Sequence, residues 1–134
     1  SIVEESILRF LDAHLFLVTL GPRTSAFSVL EGTKIDSAGA KRLAEAADDC
    51  WKAIISKNLA AFGVAFTRSF DAQAAMFPNM VDEGIRNIVE RYRSRAQGWK
   101  LSGAGGGGYL ILVSDKEIEN TIRIKVRRSV SVDG

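Results

Sequence analysis

Two apolar segments in the C-terminal third of the chain are joined by a run of glycines, and this arrangement constrains the fold most strongly. The segments are Trp99–Ser102 and Tyr109–Ser114, and Gly-Ala-Gly-Gly-Gly-Gly lies between them. Both are short and apolar, as is typical of buried strands, so the glycines between them favour a hairpin. Each glycine costs about 0.5–1 kcal/mol of ordering free energy relative to alanine, and a hairpin needs only two or three special residues. The run therefore indicates a close approach of the backbone to another group.

Periodicity predicts the remaining strands and the first helix. Ile2–Leu11 is typical of a short amphipathic helix, and the apolar run His14–Leu20 predicts a strand buried on both faces. Near the C-terminus, Ile122, Ile124 and Val126 alternate with basic residues, which predicts a half-buried strand with one wet face.

Two or three helices are predicted between these strands. The first follows the N-cap residues Asp36 and Ser37, the second follows Asn58, and the third begins at Asn79 or Asp82. The apolar stripe of the first is predicted to comprise Leu43, Ala47, Cys50 and Ile54, widened by Trp51 and Ile55. The second stripe comprises Leu59, Phe62, Phe66, Phe70 and Phe77, and the third comprises Val81, Ile85, Ile88, Val89 and Tyr92.

This order of segregated helices and strands predicts one α+β domain over residues 1–134, with helices on one face of an antiparallel sheet of about four strands. The net charge of +2 is too small to indicate a nucleic-acid or membrane partner. No apolar run approaches the roughly 20 residues of a membrane span. The one cysteine, Cys50, excludes an internal disulfide, which fits a cytoplasmic protein.

Two known phosphate-binding loops do not account for the glycine run. A Walker loop requires Lys-Ser or Lys-Thr after its last glycine, and Tyr109-Leu110 stands there instead. The spacing Gly103-x-Gly105-x-x-Gly108 matches the dinucleotide fingerprint, but that fingerprint opens a helix, and the residues that follow here predict a strand. An anion-binding nest of backbone N–H groups and a flexible hairpin tip both remain open on residue chemistry alone.

The segment Trp99–Tyr109 resembles the third conserved motif of the GHMP kinases, the family of galactokinase, homoserine kinase and mevalonate kinase. In that motif a lysine, a hydrophobic residue, a serine or threonine and a Gly-Ala-Gly-Gly-Gly-Gly run precede an apolar strand. The corresponding residues here are Lys100, Leu101, Ser102, Gly103, Ala104, Gly105, Gly106, Gly107 and Gly108. The resemblance implies a ferredoxin-like C-terminal kinase domain, with Lys100, Ser102 and the residues of the run on the ATP side.

Two further residues come from the same resemblance. Arg23, in Leu20-Gly-Pro-Arg23, and Gln73, on the second predicted helix, correspond to the substrate side. Among the subfamilies, the sequence most resembles bacterial L-fucokinases, including those fused to a guanylyltransferase. Heptose phosphate kinases and galactokinase-like members come second in this resemblance. The implied activity is transfer of the ATP γ-phosphoryl group to a sugar hydroxyl.

The chain departs from the family because it lacks the Pro-x-x-x-Gly-Leu-Gly-Ser-Ser loop of the N-terminal, ATP-binding half. The resemblance implies that the catalytic and metal-binding residues lie in that half, so no catalytic residue or metal ligand is assigned here. ATP and Mg²⁺ are expected in the full-length enzyme and neither on this fragment, which is expected to be inactive alone. Its expected partners are its own N-terminal domain and a sugar, and it is expected to self-associate through the exposed interface.

The alternative function is a non-catalytic, ferredoxin-like domain that binds a small ligand or a partner through its glycine hairpin. Other residues give no stronger indication of chemistry. His14 is predicted to lie in a strand, with no second potential ligand near it in sequence, and Cys50 is predicted to be a buried small hydrophobe. Arg123, Lys125 and Arg127 are interpreted as a solvated edge.

Overall fold

The chain is described here by a computed structural model that covers residues 1–20, 32–102 and 108–125. Each α-helix begins after a residue whose short polar side chain caps it, namely Ser1, Asp36, Asn58 or Asp82. The elements are α1 (Ile2–His14), β1 (Leu15–Thr19), α2 (Ser37–Ile55), α3 (Leu59–Met76), a 3-10 turn (Pro78–Met80), α4 (Glu83–Tyr92), β2 (Gly98–Ser102), β3 (Tyr109–Val113) and β4 (Ile122–Arg123).

The strands of the described residues form one antiparallel sheet in the order β2-β3-β1-β4. β3 lies between β1 and β2, so that Leu112 pairs with Phe16 on one side and with Trp99 on the other. The same order is found in ferredoxin-like sheets. In both, β3 lies between β1 and β2, the strand that follows the helices. The predicted α+β class with about four antiparallel strands is confirmed.

The predicted N-caps of the three central helices are confirmed. The side chains of Asp36, Asn58 and Asp82 accept hydrogen bonds from the N–H groups of Gly39, Ala61 and Ile85, respectively. Each bond satisfies one of the backbone donors that the first turn of a helix leaves without a partner. α3 ends at Met76, because the residue before Pro78 is disfavoured in helical conformation.

One apolar cluster covers the sheet face that carries Phe16 and Leu112. Phe70 of α3 and the apolar side of α4 pack on this face, as the phenylalanine stripe and the α4 stripe predict. The fully or nearly fully buried members are Phe16, Phe70, Met80, Val81, Ile85, Val89, Tyr92, Trp99, Leu101, Leu110, Leu112 and Ile118.

A second, smaller cluster contains Leu15 and Val113, which pair with each other and, by alternation, point to the opposite face of the sheet. Side chains of α1, α2 and the first half of α3 pack around them, among them Phe10, Ala53 and Phe62. The hairpin of α2 and α3 is thereby fixed against the end of the sheet that lies opposite the glycine run.

The predicted apolar stripe of α2 is confirmed only in part: Cys50 and Ile54 pack against the second cluster, whereas other members do not. Trp51 and Ile55 are 58% and 48% exposed, and Ala47 is also exposed. The buried positions are Gly39, Ala46 and Ala53. These small residues allow two helices to approach closely, because interaxial distance depends on the side chains at the contact. A stripe drawn through the largest apolar residues therefore missed the helix–helix contact.

Two predictions about chain segments also differ from the structure. His14 is the last residue of α1 rather than part of a strand, and its Nδ1 lies 2.6 Å from the carbonyl oxygen of Phe10. Within the described residues, β4 comprises Ile122 and Arg123, both exposed, instead of a half-buried strand, and it pairs with Phe16 and Leu17 at the sheet edge. Val126 and Arg127 lie outside the described residues. None of the described helices is long and apolar enough to cross a membrane.

Candidate functional site

The candidate site lies along the seam between α3 and β2, which run side by side in the same direction. Gly63 faces Gly98 at the start of the seam. One step further along both elements, the Trp99 N–H donates a hydrogen bond to the Thr67 hydroxyl at 3.4 Å. Because β2 is the terminal strand of the described sheet, α3 covers the outer edge of that strand.

Lys100 is the next residue of this seam, and it is half-buried. Its ammonium group donates a hydrogen bond to the hydroxyl of Ser69, which is only 3% exposed. Burial lowers the pKa of Lys100, and the neighbouring Cys50 thiol opposes that effect. No carboxylate among the described residues forms an ion pair with this ammonium. A cation that has lost part of its hydration without gaining a counter-ion is suited to bind an anion.

The Cys50 thiol lies on α2 within the electrostatic reach of Lys100. It is half-buried, and burial raises its pKa, whereas the charge of Lys100 lowers that pKa and the charge of Asp49 raises it. The prediction that Cys50 is a buried small hydrophobe is therefore confirmed only in part. The thiol of Cys50, on α2, therefore lies near the seam, with a pKa that burial raises and the charge of Lys100 lowers.

Gln73 follows Ser69 by one helical turn and lies on the same stripe of α3. Its Oε1 is buried and has no hydrogen-bond partner among the described residues. From Gly63 to Gln73 the helix rises about 15 Å, and from Gly98 to Ser102 the strand rises about 13 Å. Gln73 and Ser102, the last residue before the glycine run, both lie beyond the Ser69–Lys100 contact in the direction in which α3 and β2 run.

The two described ends of the glycine run lie close together. Ser102 pairs with Tyr109 in the β2–β3 ladder, and the carbonyl oxygen of Gly108 accepts a hydrogen bond from the Leu20 N–H at 3.1 Å. Lys100 and Ser102, two residues apart on β2, point to the same face of the sheet. Gly103, Ala104, Gly105, Gly106, Gly107 and Arg23 lie outside the described residues.

Of the residues predicted from sequence, the structure joins Lys100 to Ser69 of α3, and Gln73 and Ser102 lie further along α3 and β2. Sequence reasoning missed Ser69, although a polar residue within the stripe of phenylalanines was a usable signal. An ammonium, a hydroxyl and a carboxamide form a donor and acceptor set that fits phosphoryl oxygens. Across the described part of the chain, no group of three His, Cys, Asp or Glu side chains is placed to hold a metal ion.

Comparison with known proteins finds similarity to solved structures. No protein-family model matches the chain, and no curated protein sequence does. A solved structure of mevalonate kinase superposes on 79% of this chain, with a TM-score of 0.43 and 25% sequence identity. The aligned part is 34% of that kinase, so the chain spans about a third of its length.

Proposed function

We propose that the chain is the C-terminal domain of a GHMP-type kinase that transfers the ATP γ-phosphoryl group to a sugar hydroxyl. The observation that carries the proposal is the position of Lys100. The seam holds a half-buried ammonium, without a counter-ion among the described residues, immediately before the glycine run. Together with the sequence from Lys100 to Gly108, this geometry supports a phosphate-facing wall of a kinase cleft.

Phosphoryl transfer depends on positioning and on stabilisation of negative charge, and the residues of the seam supply both. Lys100, held by Ser69, compensates negative charge at the end of β2. Gln73 offers a buried acceptor to a substrate hydroxyl, and Arg23 and Ser102 complete the proposed substrate and phosphate sides. Bound Mg-ATP supplies the phosphoryl group, and the N-terminal domain of the longer enzyme holds it.

The proposed full-length enzyme is cytoplasmic and acts on a sugar of the L-fucose type. The resemblance of residues 99–109 to bacterial L-fucokinases supports this choice, followed by heptose phosphate kinases and galactokinase-like enzymes. The chain alone is expected to lack kinase activity, because the proposed catalytic residues and the loop that holds ATP belong to the other half.

The test is ADP release by the longer protein that carries this chain. It is assayed with Mg-ATP and, in separate reactions, with L-fucose, galactose and a heptose phosphate. We expect one of these to stimulate ADP release, and Gly106→Val to reduce turnover at least ~100-fold, because a β-branched side chain prevents close backbone approach. The same substitution is expected to change the melting temperature of the chain by only a few degrees, as the matched Lys116→Met does. A folded longer protein without sugar-dependent ADP release would contradict the kinase proposal.

The second candidate is a non-catalytic, ferredoxin-like domain that binds a small anion. One observation favours it: Lys100, Ser69 and Gln73 all belong to this chain, so the seam needs no second domain to present its charge. Anion binding by a protein that shows no sugar-dependent ADP release is the outcome that would select this candidate.

A further inference from the structure

A groove between α3 and α4 opens on the side of the sheet that carries Trp99. Its volume is about 310 Å³, near the lower end of the range of small-ligand pockets. Neighbouring side chains of a strand point to opposite faces of the sheet, so Trp99 and Lys100 lie on opposite sides of β2. The groove is therefore separate from the phosphate side proposed above.

The floor of the groove is apolar. It includes Phe70, Val81, Val89 and Trp99, which are between 5% and 9% exposed and belong to the larger core cluster. Because these side chains are fixed by packing within the core, the floor is formed before any ligand arrives, as in most small-molecule sites. An apolar group of a ligand is the complement of this surface.

Two of the four charged side chains around the groove neutralise each other. The Nε and Nη2 atoms of Arg93 lie 2.9 Å and 2.8 Å from Oε1 of Glu90. The Arg93 guanidinium also lies over the Trp99 ring, 5.0 Å from its centroid, in a cation–π contact. Arg93 and Glu90 therefore form one wall of the groove without a net charge.

Asp71 and Arg86 are the other two charged side chains of the groove. Among the described residues, neither forms an ion pair. Asp71 belongs to α3 and Arg86 to α4, so the two charges line the groove from different helices. Partial burial raises the pKa of the Asp71 carboxyl group, and the charge of Arg93 opposes that shift. A partly buried carboxylate without an ion pair disfavours folding, and such groups are concentrated at functional sites.

We propose that this groove binds a free α-amino acid with a large apolar side chain. The ammonium group of the ligand pairs with Asp71, its carboxylate pairs with Arg86, and its side chain lies on the apolar floor. An amine or a carboxylic acid leaves one of the two charges unpaired, so the groove selects a ligand that carries both. The site goes beyond the proposed kinase function and does not depend on it.

The experiment titrates the 134-residue chain with L-phenylalanine and with derivatives that each lack one feature. N-acetyl-L-phenylalanine lacks the ammonium group, L-phenylalaninamide lacks the carboxylate, and free glycine lacks the apolar side chain. Binding is measured by the chemical shift of the Trp99 indole N–H, and the indole N–H of Trp51, which lies outside the groove, is the internal control. We expect L-phenylalanine to shift the Trp99 signal saturably and each derivative to bind at least ~10-fold more weakly.

Two substitutions assign the two ends of the ligand. Asp71→Asn and Arg86→Gln are each expected to weaken binding of L-phenylalanine at least ~10-fold. Asp71→Asn is further expected to abolish the preference over the N-acetyl derivative, and Arg86→Gln the preference over the amide, because each preference requires the charge that was removed. The control, Arg91→Gln, removes an exposed charge of α4 outside the groove and is expected to leave binding unchanged. Melting curves establish that each variant is folded.

The proposal is overturned if L-phenylalanine produces no saturable shift of the Trp99 signal, or if Asp71→Asn and Arg86→Gln, both folded, bind it as tightly as the unmodified chain. One further probe, N-acetyl-L-phenylalaninamide, represents a phenylalanine within a segment of another protein. Binding of this probe as tight as that of L-phenylalanine would identify the groove as a docking site for a protein chain and refute the amino-acid site. Each of these outcomes is independent of ADP release by the longer protein, so the kinase proposal stands or fails separately.

Discussion

Gly63 of α3 and Gly98 of β2 touch through their backbones. A Cβ atom at Gly98 would lie 2.2 Å from the carbonyl oxygen of Gly63, and one at Gly63 would lie 2.5 Å from the carbonyl oxygen of Gln97. Real Cβ atoms do not approach backbone oxygens so closely, and neither backbone can move without its helix or strand. The absence of two side chains thus sets the distance between α3 and β2, and with it the contact between Ser69 and Lys100.

Gly63→Ala and Gly98→Ala are expected to lower the free energy of unfolding by about 3 kcal/mol or more each, because overpacking against backbone cannot relax locally. Urea denaturation of each variant measures the effect. The matched control is Gly84→Ala, near the exposed start of α4, where the nearest atom is a side-chain oxygen of Asp82 at 3.3 Å. It is expected to remain within about 1 kcal/mol of the unmodified chain, because the gain in helix propensity offsets slight crowding. Equal effects at all three positions would contradict the close approach.

The hydrogen bond between Lys100 and Ser69 predicts a coupled loss of stability. Ser69→Ala is expected to cost about 1 kcal/mol, because it removes the partner of a half-buried ammonium. Lys100→Met keeps the aliphatic stem in place and is expected to change stability by less than about 1 kcal/mol. In a double-mutant cycle, Ser69→Ala should cost about 0.5–1.5 kcal/mol less in the Lys100→Met background. Strictly additive values would show that the two side chains do not interact in solution.

Asp71 predicts a pH-dependent gain in stability. Asp71 is exposed as a whole, but partial burial raises the pKa of its carboxyl group, and the nearby Arg93 charge opposes the shift. Because the pKa of Asp71 is higher in the folded chain than in the unfolded chain, protonation of this carboxyl group stabilises the folded state. The stabilisation is present at pH values below the ordinary pKa of the group and is lost as the pH rises through its pKa in the folded chain. Asp71→Asn stays neutral and is expected to raise the free energy of unfolding at pH 7 by a few tenths of a kcal/mol, a small gain because the residue is exposed.

At pH 3 the Asp71→Asn variant and the unmodified chain are expected to melt at the same temperature, since the carboxyl group is then protonated in both folded and unfolded states. Asp115→Asn, at an exposed position in the turn after β3, serves as the control and is expected to have no effect at either pH. A lower melting temperature for Asp71→Asn at pH 7 would refute the sign of the prediction.

The exposed apolar side chains of the α2–α3 hairpin predict self-association of the chain when it is studied alone. The side chains of Trp51, Val64 and Ile55 are 58%, 57% and 48% exposed. Sedimentation velocity over a concentration series is expected to show reversible association that Trp51→Glu reduces, because exposed apolar surface drives such contacts. Ile2→Glu, at an exposed position at the N-terminal end of α1, is the matched control. A monomer at every concentration would refute the prediction.

Helix boundaries and the buried stripes of α3 and α4 were predictable because they depend on local capping and on large apolar residues at helical spacing. The contact face of α2 was not, since Gly39, Ala46 and Ala53 are buried for their small size rather than their hydrophobicity. The seam itself depends on residues that are distant in sequence: Gly63 and Gly98 are 35 positions apart, and Ser69 and Lys100 are 31 apart. No local pattern links such positions, so the sequence indicated Lys100 and Gln73 only through a family resemblance.

Because α3 covers the outer edge of β2, the two edges of the sheet differ in their access to a strand of another chain. On that side the outward N–H of Trp99 is already bonded to Thr67, so an incoming strand finds a helix in place of free donors. On the opposite side, β4 pairs with only two residues of β1, and the described part of β1 extends beyond them through Val18 and Thr19. Within the described residues, strand addition is therefore possible at one edge of the sheet only, the edge farthest from Lys100.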